Sequence, residues 1–126
     1  MFEINAISRS PVYEQLVEQV ERYILLGLLR EGDQLPSVRA LSGELSINPN
    51  TIQKAYGELD AKGILCSVPG RGCFVAEGAL PRIRERRLGE QGAFRRLVRE
   101  LKAAGITAEE LTAALSEEYK ENGKEM

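Results

Sequence analysis

The chain has 126 residues, 43% of them hydrophobic and 29% charged, with no histidine and two cysteines, the composition of one globular domain with at most a small appendage. Cys66 and Cys73 alone cannot supply a four-ligand zinc site. No window approaches the roughly 18 apolar residues of a membrane span, and the start MFEINAISRSP lacks the basic and apolar runs of a signal peptide, so a cytoplasmic protein without metal or cofactor is expected. The net charge of −2 and pI of about 5.3 argue in bulk against a nucleic-acid binder, but residues 36–75 carry four basic and three acidic groups, 82–104 eight and three, and 105–126 two and six.

Along the chain, Ser10-Pro11 offers a cap followed by a first helical residue. Val12, Leu16, Val20, Ile24 and Leu28, with Tyr13, Val17 and Leu25 beside them, predict an amphipathic helix of about four to five turns. Gly32-Asp33 breaks it. Ser37 caps a second, short helix with Val38, Leu41 and Leu45 on one face. Ser46-Ile47 forms a turn, with Ile47 plugging the gap between helices. Asn48-Pro49 opens a third helix to about Lys62, ended by Gly63 in the left-handed conformation. Its apolar face is Ile52, Ala55, Tyr56 and Leu59.

Two β-rich runs, Ile64 to Val68 and Cys73 to Val75, flank the turn Pro69-Gly70-Arg71-Gly72 and predict a hairpin. Cys66 and Cys73 are expected to face each other across it as small, buried or half-buried residues rather than a redox pair. Beyond Glu77 a helix is expected from about Pro81 to Ala104, kinked or split by Gly89 and Gly92. Gly105 and the capping box Thr107 to Glu110 then lead into a last helix carrying Leu111, Leu115 and Tyr119, with Glu121 to Met126 fraying. The order predicts a mainly α fold with a small β-hairpin: a winged helix-turn-helix over residues 1–76 and a helical C-terminal dimerisation segment over 77–126.

On the third helix, the side opposite the apolar face is Asn50, Gln53, Lys54 and Gly57. Asn and Gln can pair with adenine edges and Lys can reach guanine or phosphate; the same pattern also suits an ordinary solvated face. Arg39, in the first turn of the second helix, is placed for a phosphate contact or for a surface ion pair. Ser37 and Thr51 stand at helix starts, where they cap and could also donate to phosphate. Arg71, between Gly70 and Gly72, puts a cation on a flexible tip suited to the minor groove. The basic run Arg82, Arg84, Arg86, Arg87, Arg95, Arg96 and Arg99 could meet DNA phosphates, but pairing with the acidic residues Glu109 to Glu125, in the same or another subunit, is the favoured expectation. No catalytic constellation or phosphate loop is present in the sequence, so an enzyme is not expected.

The chain resembles the GntR family of bacterial transcription regulators over roughly residues 8–76, above all in the run LPSVRALS…NTIQKAYGELDAKGI and in VPGRGCFV. The short helical C-terminus looks like the YtrA subfamily. The resemblance implies a repressor acting as a homodimer through its C-terminal helices at an inverted-repeat operator, often near genes for ABC-type transporters. By position it places DNA contacts on Arg39, on Asn48 to Thr51, on Gln53 and Lys54, and on Gly70 to Gly72. Many family members have Arg where this chain has Pro49, which shifts base reading to Asn50, Gln53 and Lys54. The small C-terminus leaves a small-molecule effector only a shallow groove at a dimer interface.

Overall fold

The computed structural model describes residues 2–125. Elements follow in the order α1 (Val12–Leu25), α2 (Val38–Leu45), α3 (Pro49–Ala61), β1 (Leu65–Val68), β2 (Gly72–Val75), α4 (Ala79–Leu88), α5 (Gln91–Ala103) and α6 (Ala108–Glu125). Contacts divide the chain into two compact units, 1–86 and 87–126. Ala79 and Ile83 of α4 are buried in the core of the first unit.

In that unit, α1 begins one residue later than the sequence suggests. Pro11 sits at the cap with extended ψ and makes no side-chain cap bond, while the Ser10 hydroxyl turns to Glu14. Leu16, Val17, Val20 and Ile24 are buried, but Leu28 is exposed and Leu29 is buried in its place. The helix ends at Leu25 and turns through Gly27 at φ +79°, so the four-residue period stops before Leu28. Two glutamines on α1 grip the lead-in: Gln19 Oε1 accepts from Glu3 N at 2.9 Å and Gln15 Oε1 from Asn5 N at 2.8 Å. Phe2 is thereby held in the core, stacked on Tyr23.

Ser37 caps α2, its hydroxyl accepting from Ala40 N. Ser46 takes the left-handed conformation at φ 55°, and the Ser42 hydroxyl donates to the Ile47 carbonyl, which fixes the turn. Ile47 packs against the core as expected. Asn48 caps α3, with Pro49 in its first turn, and Gly63 follows the helix at φ +76°. Ile52, Ala55, Tyr56 and Leu59 are all buried. Each large apolar side chain removed from water contributes about 1.5–3 kcal/mol, against a few tenths for a surface pair such as Lys62–Glu58. Core packing therefore decides which side of α3 remains outside.

The hairpin is antiparallel with Cys66 opposite Phe74 and Ser67 opposite Cys73. The expectation that the cysteines face each other is thus corrected. They are one register step apart, and neighbouring positions of a strand point to opposite faces. Cys66 is exposed and Cys73 half-buried, both free, and burial pushes the Cys73 thiol upward. Cys66 should consequently be alkylated well before Cys73 at mildly alkaline pH, since the thiolate is the nucleophile. Peptide mapping after a timed iodoacetamide pulse checks this; Cys73 labelling first would contradict it.

Three contacts hold α4 to this unit. Glu31 Oε1 accepts from Gly78 N at 2.9 Å. Arg82 donates to the carbonyls of Gly63 and Glu77, both at 2.8 Å. Arg86 pairs with Glu21 of α1, a buried carboxylate. The expected pairing of the basic run with the acidic tail is corrected for these residues, and Arg87 pairs with Glu90. The acidic side chains beyond Lys120 lie outside the described residues, while helix α6 itself continues to Glu125, where fraying is expected from Glu121.

The helix expected from Pro81 to Ala104 is split between Leu88 and Gln91, at Gly89, while Gly92 lies within α5. Gly105 takes φ +88°, and the Thr107 hydroxyl accepts from Glu110 N at 3.1 Å to cap α6. Val98, Leu101, Ile106 and Leu111 reach only half burial. Phe94, Leu97, Leu115 and Tyr119 are exposed. Among the described residues no helix is long and apolar enough to cross a membrane.

Candidate nucleic-acid interface

With its apolar side fixed in the core, α3 presents Asn50, Gln53, Lys54 and Gly57 outward, all exposed. A groove of about 750 Å3 lies beside it, lined among others by Ser37, Gln53, Gly57, Gly70, Arg71 and Gly72. The start of α2, the outer side of α3 and the hairpin tip therefore border one concave surface. The groove unites five of the ten candidate residues, Ser37, Gln53, Gly70, Arg71 and Gly72. Asn50 and Lys54 share the helix side but lie outside the groove lining. Asn48 and Thr51 stand at the helix start, and Arg39 is exposed on the first turn of α2.

Several of these groups already have a structural task. Ser37 Oγ and Asn48 Oδ1 accept the cap bonds from Ala40 N at 3.0 Å and Asn50 N at 2.8 Å. Their hydrogens, the hydroxyl of one and the amide of the other, remain to donate to an anion. The Lys54 ammonium sits 3.9 Å from the centre of the Tyr13 ring of α1. A cation–π contact at such an open site is worth about 0.5–1 kcal/mol, small enough to be exchanged for a phosphate. Arg39 makes no ion pair among the described residues and is open to a ligand.

Other residues shape the site without having been singled out in the sequence. The Tyr56 hydroxyl donates to the Pro36 carbonyl at 2.8 Å, fastening α3 to the entry of α2. Burial pushes the Tyr56 phenol far up, so it remains a donor. Asp60 accepts from Ser67 N at 3.1 Å and ties the C-terminal half of α3 to β1. Gln34 donates to the Arg71 carbonyl at 3.0 Å, from the segment before α2 to the hairpin tip. Spacing alone gives no signal for these, since each partner is reached through the tertiary fold. Tyr56 could have been suspected, because a buried phenol needs an acceptor.

No group of three or more Cys, Asp or Glu that could hold a metal is found among the described residues. The site is an open groove with helical and hairpin walls and cations at Arg39, Lys54 and Arg71. That arrangement suits a polyanion with a groove of its own, rather than a small substrate.

Comparison with known proteins agrees. The family model for bacterial regulatory proteins of the gntR family matches residues 12–75. The HTH-type transcriptional repressor YtrA of Bacillus subtilis is 36% identical over 112 residues, covering 88% of this chain and 86% of its own. A transcriptional regulator from Oenococcus oeni superposes with a TM-score of 0.74 at 28% identity, covering 93% and 98% of the two chains. The DNA-binding domain of AraR, solved in complex with an operator, superposes with a TM-score of 0.52 at 30% identity over 60% of this chain and 93% of that one. The matched span contains both helices of the motif and the hairpin, and the chain belongs to the GntR family of bacterial regulatory proteins, as a DNA-binding transcriptional regulator with a winged helix-turn-helix.

Proposed function

We propose that the chain is a cytoplasmic repressor that acts as a homodimer on an inverted-repeat operator. Residues 1–76 would carry DNA binding and 77–126 dimerisation. In this reading Asn50 and Gln53 meet base edges in the major groove, and Lys54 leaves Tyr13 to join them or a neighbouring phosphate. Arg39, with Ser37, Asn48 and Thr51 at the two helix starts, holds the backbone, and Gly70-Arg71-Gly72 enters the minor groove. The observation that carries the reading is the single groove bordered by Gln53, Ser37 and Arg71. Repression draws support from YtrA, which is named a repressor. The transporter-gene targets implied by the likeness belong to the same reading, and the identity of the genes behind bound promoters tests them.

Operator geometry supports the dimer. One recognition helix offers few base contacts, and two related by a dyad read half-sites one helical turn or a multiple apart. The apolar stripe of α5 supplies the surface, with Phe94 and Leu97 exposed on it. Fluorescence anisotropy on duplexes from the chain's own upstream region tests the contacts. Gln53→Ala should weaken binding about tenfold on a bound duplex and relax its sequence preference. Arg39→Ala and Arg71→Ala should weaken binding across sequences and each lower the salt slope by about one. Wild-type affinity in all three variants would defeat the assignment.

A further inference from the structure

The stretch joining α1 to α2 also runs along β2 of the two-stranded hairpin and is bonded to it. Gly32 N donates to the Val75 carbonyl at 2.9 Å, Val75 N to the Asp33 carbonyl at 2.8 Å, and Leu35 N to the Cys73 carbonyl at 2.8 Å. Gln34 bridges to Phe74 in antiparallel register. From beside Phe74 the exposed Gln34 side chain reaches along the hairpin to the tip, where its Nε2 donates to the Arg71 carbonyl at 3.0 Å. A Cβ on Gly72 would lie 2.7 Å from that nitrogen, so the bare glycine makes room for the amide.

The tip has little else to fix it. Gly70 and Gly72 have φ of +77° and +121°. Arg71 N donates to the Val68 carbonyl at 3.0 Å. Among the described residues, the only side chain hydrogen-bonded to residues 69–72 is that of Gln34. A turn of this kind samples many directions unless it is tied.

We propose that Gln34 is a positioning residue of the DNA interface, holding the wing tip so that Arg71 stands at the groove beside α3. This rests on the reading of Arg71 as a DNA contact. Gln34 need not touch DNA. Its effect is preorganisation: with the tip held, less freedom is lost when Arg71 enters a minor groove. Narrow A·T-rich minor grooves attract arginine most, so a held tip should also sharpen the preference for A·T beside the half-sites.

A double-mutant cycle on the full chain tests this, with anisotropy on a duplex from the chain's own upstream region that the wild type binds. Gln34→Met keeps the length and removes the donor; it should weaken binding roughly threefold to tenfold. In an Arg71→Ala background the same change should have less than about a twofold effect, because coupled residues are not additive. Gln34→Glu, which sets a carboxylate against the carbonyl, should weaken binding at least as much. Both Gln34 variants should lose the wild type's preference for A·T over G·C flanks, which a merely structural role would not move. Equal losses in both backgrounds, or an unchanged flank preference, would overturn the role of Gln34 while leaving Arg71 as a contact. If Arg71→Ala itself binds like the wild type, the wing reading fails, and the role of Gln34 with it.

Discussion

Replacing Arg86 with alanine is expected to lower the melting temperature of the winged-helix unit by about 12–24 °C, while Glu21→Leu costs little. Glu21 is only 3% exposed. Its carboxylate meets Arg86 and, at 4.0 Å, the Lys62 ammonium. Without Arg86, a buried charge is left with one distant partner, a loss of about 3 kcal/mol. For a unit of this size each kcal/mol is worth roughly 4–8 °C. The reverse substitution is different, because the Arg86 and Lys62 side chains are 39% and 37% exposed. They can turn to water, and leucine suits the apolar stripe at that position of α1. The double variant Arg86→Ala with Glu21→Leu should recover most of the lost stability. Thermal unfolding followed by circular dichroism checks all three; equal melting of Arg86→Ala and wild type would show that the carboxylate does not depend on its partner. The pair matters to the proposed interface because Lys62 caps the end of α3, so one buried acid ties α1 and α4 to that end of α3.

That acid also marks where sequence reading stops. The winged-helix order is legible because its signals are local: Ser37 and Asn48 before their helices, Pro49 in the first turn, Gly63 after the third helix, and glycines at the hairpin tip. Each acts within a few residues, so propensity and fold agree. Glu21 continues the line Tyr13, Val17, Leu25 at four-residue spacing, and an acid in such a line is a usable signal of a buried partner. Which partner it has is not legible, since Arg86 lies 65 residues away. Gln34 and Arg71 are 37 residues apart and meet only once the hairpin is formed. The cysteine register was misplaced for a related reason: Gly72 joins β2 opposite Val68, so the pairing shifts by one step and every partner shifts with it. The outer side of α3 was readable as a set of residues. That Gln53 lines the wing groove while Lys54 rests on Tyr13 required the packing of α1.

Aspartate at Leu97 is expected to turn the proposed dimer into a monomer and to lower operator affinity more than a hundredfold. Phe94, Leu97, Val98 and Leu101 follow the helical period along α5, yet no residue of that helix is buried in the single chain. Phe94 and Leu97 are 60% and 52% exposed. Covering such side chains contributes about 1.5–3 kcal/mol each, and a carboxylate at the centre of the covered stripe must either stay hydrated or lie unpaired, which opposes association. The effect on DNA is larger than the effect on the interface itself. In a dimer the second winged helix binds at an effective concentration set by its tether, a gain of about 10²–10⁴ that vanishes when the subunits part. The core of the winged-helix unit contains none of these α5 residues, so its melting should be unchanged. Light scattering at micromolar concentration and anisotropy on the bound duplex provide the two readings. A Leu97→Asp protein that remains dimeric would move the interface off α5. A monomer that still binds with wild-type affinity would instead remove the need for two half-sites.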